Sequence, residues 1–377
     1  MSAAVSAEEL LDGFLELVRI PSPAGEERAL ADHLLARLRD LGLDPVEDDA
    51  AGPARAGSGN VFVRVEGAGD GLPILLCAHI DTVHVAGRIE PVVEDGIVRS
   101  AGDTILGADD KVAVNALMAL LADLAADPPA GDVEVLFTVC EEVGLRGAKA
   151  FNLTPCRARA GFVLDSSGPL REVIIAAPAS RSITAEFRGA AAHAGIEPEL
   201  GRSAVLAASR AISAMRLGRL DEQTTANVGI VEGGVATNIV PEHCVLRGEA
   251  RSRDPERLAD QVAHMLETIN VAAAEVGVDV VVDVVEDYEA FSLSKRALAP
   301  RLAAEALRAQ GIEPRFVGTG GGSDVNVFNA RGLPSVNLSA GYERVHSTEE
   351  HVPVQSLVET YRMVHGLARA AGRRRAD

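Results

Sequence analysis

The sequence predicts an α/β protein in which a mostly parallel central sheet, flanked by helices, is interrupted by an inserted ferredoxin-like α+β domain. Three observations predict it. Helix-period and strand-like segments alternate up to about Pro178 and again after Ala297. Between these stretches runs the order β-α-β-β-α-β, a self-contained ferredoxin-like unit of roughly 110 residues. Several apolar, strand-like runs end abruptly in histidine or carboxylate residues, as strands of an open parallel sheet do where a site gathers at their carboxyl ends.

Ala7–Val18 carries the apolar period of an amphipathic helix, and Gly25–Leu41 repeats it, with Glu26 and Glu27 suited to a first helical turn. Val61–Val65 and Ile74–Ala78 read as strands, the second apolar enough to be fully buried. Lys111–Leu124, rich in Ala and Leu, is an apolar helix; Val133–Val139 is a buried strand and Gly161–Leu164 a short one. After Pro178 the pattern changes. Ser182–Phe187 alternates like a half-exposed strand, followed by a helix at Ser203–Met215 and strands near Ala226–Glu232 and Cys244–Arg251. A helix at Pro255–Val276 and a strand at Val278–Val285 complete the insert. The first pattern then resumes with helix Ala297–Gln310, strand Pro334–Leu338 and helix Val354–Ala371. The expected domains are therefore 1–179 with 292–377, and 180–291 inserted between them.

Length and composition agree. A chain of 377 residues exceeds what one hydrophobic core usually serves, and 47% hydrophobic residues suit a well-buried globular protein. A formal charge of −19 argues against nucleic acid as a partner, and the basic run Arg373-Arg374-Arg375 is too short to reverse it. Cys77, Cys140, Cys156 and Cys244 form no Cys-x-x-Cys pair. Cys77 and Cys140 lie in apolar runs, as small core residues do. The first residues lack the basic and apolar regions of a secretory signal, and no apolar stretch reaches the ~20 residues that span a bilayer. A cytoplasmic protein without a membrane partner is expected.

The chemistry concentrates at strand ends. Ile74–Ala78 ends in His79-Ile80-Asp81, Val133–Val139 leads through Cys140 to Glu141-Glu142, and Gly161–Leu164 ends in Asp165. Asp109-Asp110 precede the helix at Lys111, and His346 follows the strand Pro334–Leu338 after a short loop. Burying one polar group without a partner costs on the order of 2–7 kcal/mol, and more for a charge. Taken singly, a strand-end Asp or Glu is usually a helix cap or a solvated loop residue, and a lone buried His a hydrogen-bonded core residue. Together, five carboxylates at one edge repel one another, and a multivalent cation removes that cost. Two histidines with several carboxylates suit zinc, cobalt or manganese better than calcium. Two ions, each with three protein ligands and one carboxylate shared, need about five ligands, which two His and three carboxylates supply. Cys140, before the Glu pair, adds a small thiol able to bind a soft metal. These residues alone leave open the choice within Glu141/Glu142, within Asp109/Asp110, and between His346 and His351.

Six segments in order resemble the dinuclear zinc peptidase family that includes peptidase T, carboxypeptidase G and aminoacylase, and within it the peptidase T-like branch. They are Ala78-His79-Ile80-Asp81-Thr82-Val83, Ile105-Leu106-Gly107-Ala108-Asp109-Asp110-Lys111, Phe137-Thr138-Val139-Cys140-Glu141-Glu142-Val143-Gly144, Ala192-His193-Ala194-Gly195, Ala236-Thr237-Asn238-Ile239-Val240-Pro241 and His346-Ser347-Thr348-Glu349-Glu350. Singly His-x-Asp or Glu-Glu is weak; six in order, spread over nearly the whole chain, are specific. The resemblance implies that 1–179 with 292–377 is a catalytic zinc-peptidase domain and 180–291 a lid through which two chains pair. It also implies roles. His79 and Asp165 bind one metal, Glu142 and His346 the other, and Asp109 bridges both. Asp81 orients the metal-bound histidine, and Glu141 is the general base. In the lid, His193 donates to the developing oxyanion, reaching the partner subunit's site. Asn238 and Arg251 hold the substrate's carbonyl or carboxylate, with Arg253 competing for the role of Arg251.

The function expected is a two-metal amidohydrolase that releases the N-terminal residue of short peptides such as tripeptides, by hydroxide attack assisted by Glu141. The expected cofactors are two divalent ions, zinc with cobalt or manganese as alternatives, and the expected assembly is a homodimer. A carboxypeptidase or N-acyl-amino-acid deacylase is the alternative of the same chemistry, and a non-catalytic metal-binding scaffold the alternative of another class. Gly318-Thr319-Gly320-Gly321-Gly322-Ser323-Asp324 lacks the Gly-Lys-Ser/Thr end of a phosphate loop and reads as a backbone-rich substrate wall, with a plain flexible turn as the alternative.

Overall fold

The computed structural model describes residues 5–84 and 87–375. The chain divides into two units, Met1–Ile175 with Leu293–Gly318 and Ser323–Asp377, and Ala176–Ser292 with Thr319–Gly322.

The first unit is built on a mixed sheet whose four central strands are parallel. In spatial order these are Val133–Thr138, Ile74–His79, Ala160–Val163 and Ser335–Leu338. Val61–Val65 flanks one side antiparallel, and Glu172–Ala177 the other. All four central strands are buried along their whole length, as parallel strands covered on both faces must be. Parallel alignment sends all four carboxyl ends to one edge. His79, Thr138 with the Cys140-Glu141-Glu142 turn, Asp165 and the loop after Leu338 are therefore gathered there by topology.

Local sequence explains the surrounding helices. Ala7–Val18 starts at a capping box in which Ser6 and Glu9 satisfy each other's backbone, and it buries Leu10, Phe14, Leu17 and Val18, one helical stripe. Ala108–Ala126 is buried from Ala108 to Leu117, its apolar residues there interrupted by Asp109, Asp110, Lys111 and Asn115. It packs between Ala7–Val18 and Val354–Gly372, and the latter also packs on Leu298–Arg308. One polar residue breaks the apolar run of Val133–Thr138. Glu134 is fully buried, and its carboxylate accepts from Arg64 Nε and from the backbone N–H groups of Arg157 and Ala158. That removes the cost of an unpaired buried charge.

The second unit has the predicted β-α-β-β-α-β order. Its long strands lie in the order Thr224–Gly233, His243–Ser252, Ala179–Arg188, Asp279–Tyr288, every neighbour antiparallel. Helices Ala204–Ala214 and Pro255–Val276 supply its separate core with Phe187, Leu246, Met265 and Ile269. Asp254 caps the longer helix, Pro255 starts it, and Gly277, at φ 75°, ends it.

The sequence reading had not separated out some short elements. Pro91–Glu94 and Ile97–Ser100 form a hairpin about Asp95-Gly96, both at positive φ. That Asp-Gly pair is the turn signal that could have found it. Glu172–Ala177, Arg315–Gly318 and helix Asp324–Ala330 are further additions. Among the described residues no helix is long and apolar enough to cross a membrane.

Candidate metal centre

The strand Ile74–His79 delivers the His79 ring to the carboxyl edge, where it is almost fully buried. Its Nδ1 lies 2.9 Å from the main-chain carbonyl of Asp81, and its Nε2 lies 3.2 Å from Asp109 Oδ1 and 3.9 Å from Asp165 Oδ1. On the other side of Asp109, His346 Nε2 is 3.4 Å from Asp109 Oδ2 and 3.0 Å from Glu142 Oε1. Two groups result, His79–Asp109–Asp165 and Asp109–Glu142–His346, in each of which the donor atoms lie within 4.8 Å of one another. Asp109 belongs to both, turning one carboxylate oxygen to each.

The donor chemistry of the first group calls for a cation. A carbonyl only accepts, so Nδ1 of His79 carries the proton that it donates to Asp81. In the neutral ring Nε2 is then a bare lone pair, aimed at two carboxylate oxygens. Lone pairs facing each other repel, and either a second proton or a metal ion must lie between them.

The charges around the site show the same need. Burial works to lower the His79 pKa, but hydrogen bonds with Asp109 and Asp81 overcome it and hold the value well above the ordinary range. Hydrogen bonds to Asp109 and Glu142 push His346 up to about 10. Asp165 is driven well above the usual carboxylate range by burial and then by the charge of Asp109. Glu141 is likewise raised, by burial and then by Asp165. Asp109 resists its own burial because both imidazoles hydrogen-bond to it, and its pKa stays low. A positive charge, carried by protons or by a metal ion, offsets these carboxylates.

Asp81 has a part beyond its carbonyl. Its carboxylate stands 3.6 Å from His79 Nδ1 and accepts the backbone N–H groups of Glu141 at 2.9 Å and Glu142 at 3.1 Å. It thereby joins the His79 strand end to the Glu141-Glu142 turn. Cys140, just before that turn, has φ 50°, in the left-handed region that costs a non-glycine residue about 1–2 kcal/mol. Its carbonyl accepts from Arg146 N and its thiol contacts Glu27 Oε1 at 3.1 Å. The thiol is in neither ligand group, and burial with Glu27 pushes its pKa up to about 12. Asp110 is also outside both groups; it accepts from His79 N, and the Asp109–Asp110 peptide is cis. His351 lies apart from them too, its Nδ1 held at the Glu349 carbonyl.

Glu350, in the His346-Ser347-Thr348-Glu349-Glu350 segment, carries no local signal of a role, and its contacts reveal one. Its buried carboxylate accepts three backbone N–H groups, those of Leu106 and Gly107 at 2.8 Å and of Asp109 at 3.0 Å. It thus sets the loop that carries Asp109, the carboxylate common to both groups. Glu350→Gln places an amide N–H₂ against backbone donors, and metal affinity is expected to fall about 10–100-fold, as for other residues that orient ligands. Equilibrium dialysis with zinc checks this, and unchanged affinity would show that the loop holds itself.

His193, Asn238 and Arg251 lie in the second unit. Ala194 N donates to Asn238 O and Val240 N to Ala192 O, which zips the exposed loops of His193 and Asn238 together. Arg251 lies in the strand His243–Ser252, where Nη2 pairs with Glu249 at 2.8 Å and Nε is buried without a partner. In the glycine loop, a Cβ on Gly322 would meet the Tyr288 ring at 2.3 Å, so only glycine fits there.

Known proteins resemble this chain over its whole length. A model described as the peptidase dimerisation domain of the M20 family matches residues 176–276, and one described as peptidase family M28 matches residues 60–206. The Bacillus subtilis (strain 168) protein YqjE is 39% identical over 370 residues, covering 98% of this chain and 100% of the relative. The crystal structure of a tripeptidase from Staphylococcus aureus subsp. aureus Mu50 superposes with a TM-score of 0.92 at 37% identity, covering 99% of this chain and 100% of that one. An aminopeptidase PepT from Bacillus cereus ATCC 10987 does so with a TM-score of 0.86 at 37% identity, covering 98% and 100%. With a cluster of histidines and carboxylates at the carboxyl edge of the sheet in one unit and a dimerisation-type fold in the other, this chain belongs to the peptidase T-like branch of the M20 metallopeptidases.

Proposed function

We propose that the protein is a two-metal aminopeptidase that releases the N-terminal residue of tripeptides and similar short peptides. The observation that carries this reading is Asp109, whose two oxygens face two separate ligand groups. His79, Asp165 and Asp109 would hold one ion; Glu142, His346 and Asp109 would hold the other. The mix of imidazole and carboxylate favours zinc, with cobalt or manganese as substitutes. A pair of such ions polarises a carbonyl and makes hydroxide available near neutral pH.

The chain's own groups do the rest. Glu141, outside both ligand groups and nearly buried, takes the proton of the attacking water and returns it to the leaving amine. Its raised pKa favours that two-way transfer near neutrality. His193 donates to the developing oxyanion. Asn238 holds the substrate carbonyl, and Arg251 offers its unpartnered Nε to a carboxylate. The dimerisation-domain match supports a homodimer formed through the second unit. The edge strand Asp279–Tyr288, with Val281 and Val285 exposed, is a surface suited to pairing, and sedimentation tests it. Four free cysteines fit a reducing, cytoplasmic setting.

A panel of tripeptides with free and acetylated N-termini, assayed with zinc, cobalt and manganese in turn, tests the substrate reading. Cleavage of the free peptides at the first bond is expected. Preference for the acetylated set, or release of the C-terminal residue, would transfer the assignment to a deacylase or carboxypeptidase.

Metal uptake is expected to release protons. In the ion-free protein hydrogen bonds to Asp109 and Glu142 hold the His346 pKa at about 10, so that ring is protonated at pH 7, and His79 is raised in the same direction. Metal binding requires neutral imidazole, so affinity rises with pH below the His346 value, and its contribution levels off above it. Calorimetric titration at pH 7 in buffers of different ionisation enthalpy is expected to show at least one proton released per pair of ions, that of His346. Release of none would mean that His346 is not a ligand.

A further inference from the structure

We propose that Tyr342 is a positioning residue for the shared carboxylate, and that its hydroxyl supports the ion at His79 and Asp165 more than the ion at Glu142 and His346. The inference rests on the reading that Asp109 bridges two ions. Tyr342 is 1% exposed and is among the largest fully buried side chains of the protein. Its hydroxyl lies 3.0 Å from Asp109 Oδ1. An ionised carboxylate only accepts, so the phenol donates.

The contact is one-sided. Oδ1 is the oxygen turned to His79, and Oδ2 the oxygen turned to His346. Each carboxylate oxygen has two in-plane lone-pair directions. On Oδ1 the phenol takes one and leaves the other for the His79–Asp165 group; among the described residues no hydroxyl donates to Oδ2, whose neighbour is His346 Nε2 at 3.4 Å. Tyr342 therefore restrains Asp109 from the Oδ1 side. On the opposite side the loop geometry is set by other means: His346 has φ 61°, and Ser347 Oγ donates to the Arg344 carbonyl at 2.7 Å. Tyr342, His346 and Glu350 all come from the one loop after the strand Ser335–Leu338, and all three converge on Asp109 or its backbone. A single segment thus supplies a ligand, sets the ligand loop and orients the bridge. The aromatic ring alone would serve as core packing. The hydroxyl is the part that bears on the metal centre.

The test separates the two ion sites. Tyr342→Phe keeps the buried ring and removes only the hydroxyl. It is combined with His346→Ala, which leaves the His79–Asp165 group, and separately with Asp165→Ala, which leaves the Glu142–His346 group. Zinc binding to the ion-free proteins is then measured by calorimetry, with far-UV circular dichroism and the ion-free melting midpoint recorded for each. Tyr342→Phe is expected to weaken the remaining ion about 10–100-fold in the His346→Ala background, and by less than about 3-fold in the Asp165→Ala background. A role in packing alone would lower the melting midpoint and leave this difference between the sites at zero. Equal weakening at both sites, no weakening, or tightening at the His79 site overturns the proposal. A wild-type protein that binds fewer than two ions overturns the bridging reading on which it rests; two ions with a Tyr342→Phe isotherm like that of wild type overturns the role of Tyr342 alone.

Discussion

Replacing Glu141 with glutamine is expected to lower peptide turnover by about 10²–10⁴-fold while both ions stay bound, the range that a positioned general base contributes. The side chain is nearly isosteric, so folding should be preserved. The backbone N–H of residue 141 still donates to Asp81, and the glutamate is in neither ligand group. What is lost is the ability to take and return a proton. Burial and the charge of Asp165 raise the Glu141 pKa, so its two protonation states are closer in energy near neutrality than those of an exposed glutamate. Metal analysis alongside kcat/KM separates this loss from loss of the ions. Turnover at the wild-type rate would remove Glu141 from the reaction and direct attention to the other buried carboxylates. Among these is Asp324, whose pKa burial raises to about 6.

Asp81→Ala is expected to damage stability and metal binding together. The residue is fully buried, and its carboxylate satisfies the N–H groups of both Glu141 and Glu142. Orphaning a buried donor costs about 1–3 kcal/mol, so the ion-free protein should lose roughly 2–6 kcal/mol in urea unfolding. The same deletion frees the Glu141-Glu142 turn, so zinc affinity should fall about 10–100-fold as well. His79 should keep its ring orientation in part, because the nearest acceptor to Nδ1 is the main-chain carbonyl of residue 81, which alanine retains. Loss of zinc affinity with no loss of ion-free stability would mean that the two N–H groups find water, and that the carboxylate acts only on the histidine.

Most of the regular elements were legible because they announce themselves locally. Ala7–Val18, Val61–Val65 and Pro255–Val276 have the same limits in the structure as in the sequence reading, each marked by a strong period or a capping residue. Helix Gly25–Leu41 was read too long at its start, and begins at Arg28 because Gly25 and Glu27 are spent on a turn joined by Glu27 Oε1. The helix expected from Lys111 does begin there as regular helix, because Asp109 and Asp110 just before it have non-helical backbone, with ψ of 106° and 27°. Glu172–Ala177 was missed because it continues almost directly into Ala179–Arg188, with no turn residues to divide them except Pro178.

Local patterns along the chain carry the repertoire of chemistry: which strands are apolar enough to be buried, that they end in histidine or carboxylate, and that an antiparallel unit interrupts them. These are properties of neighbouring residues and of period, which a one-dimensional chain carries in full. Folding adds which oxygen of Asp109 faces which histidine, that the Asp81 carboxylate holds the Glu141-Glu142 turn, and that Tyr342 and Glu350 reach back to Asp109. Those pairings join residues far apart along the chain. They depend on parallel strands of different sequence position ending at one edge, and on buried polar groups finding partners there, and no local pattern encodes either.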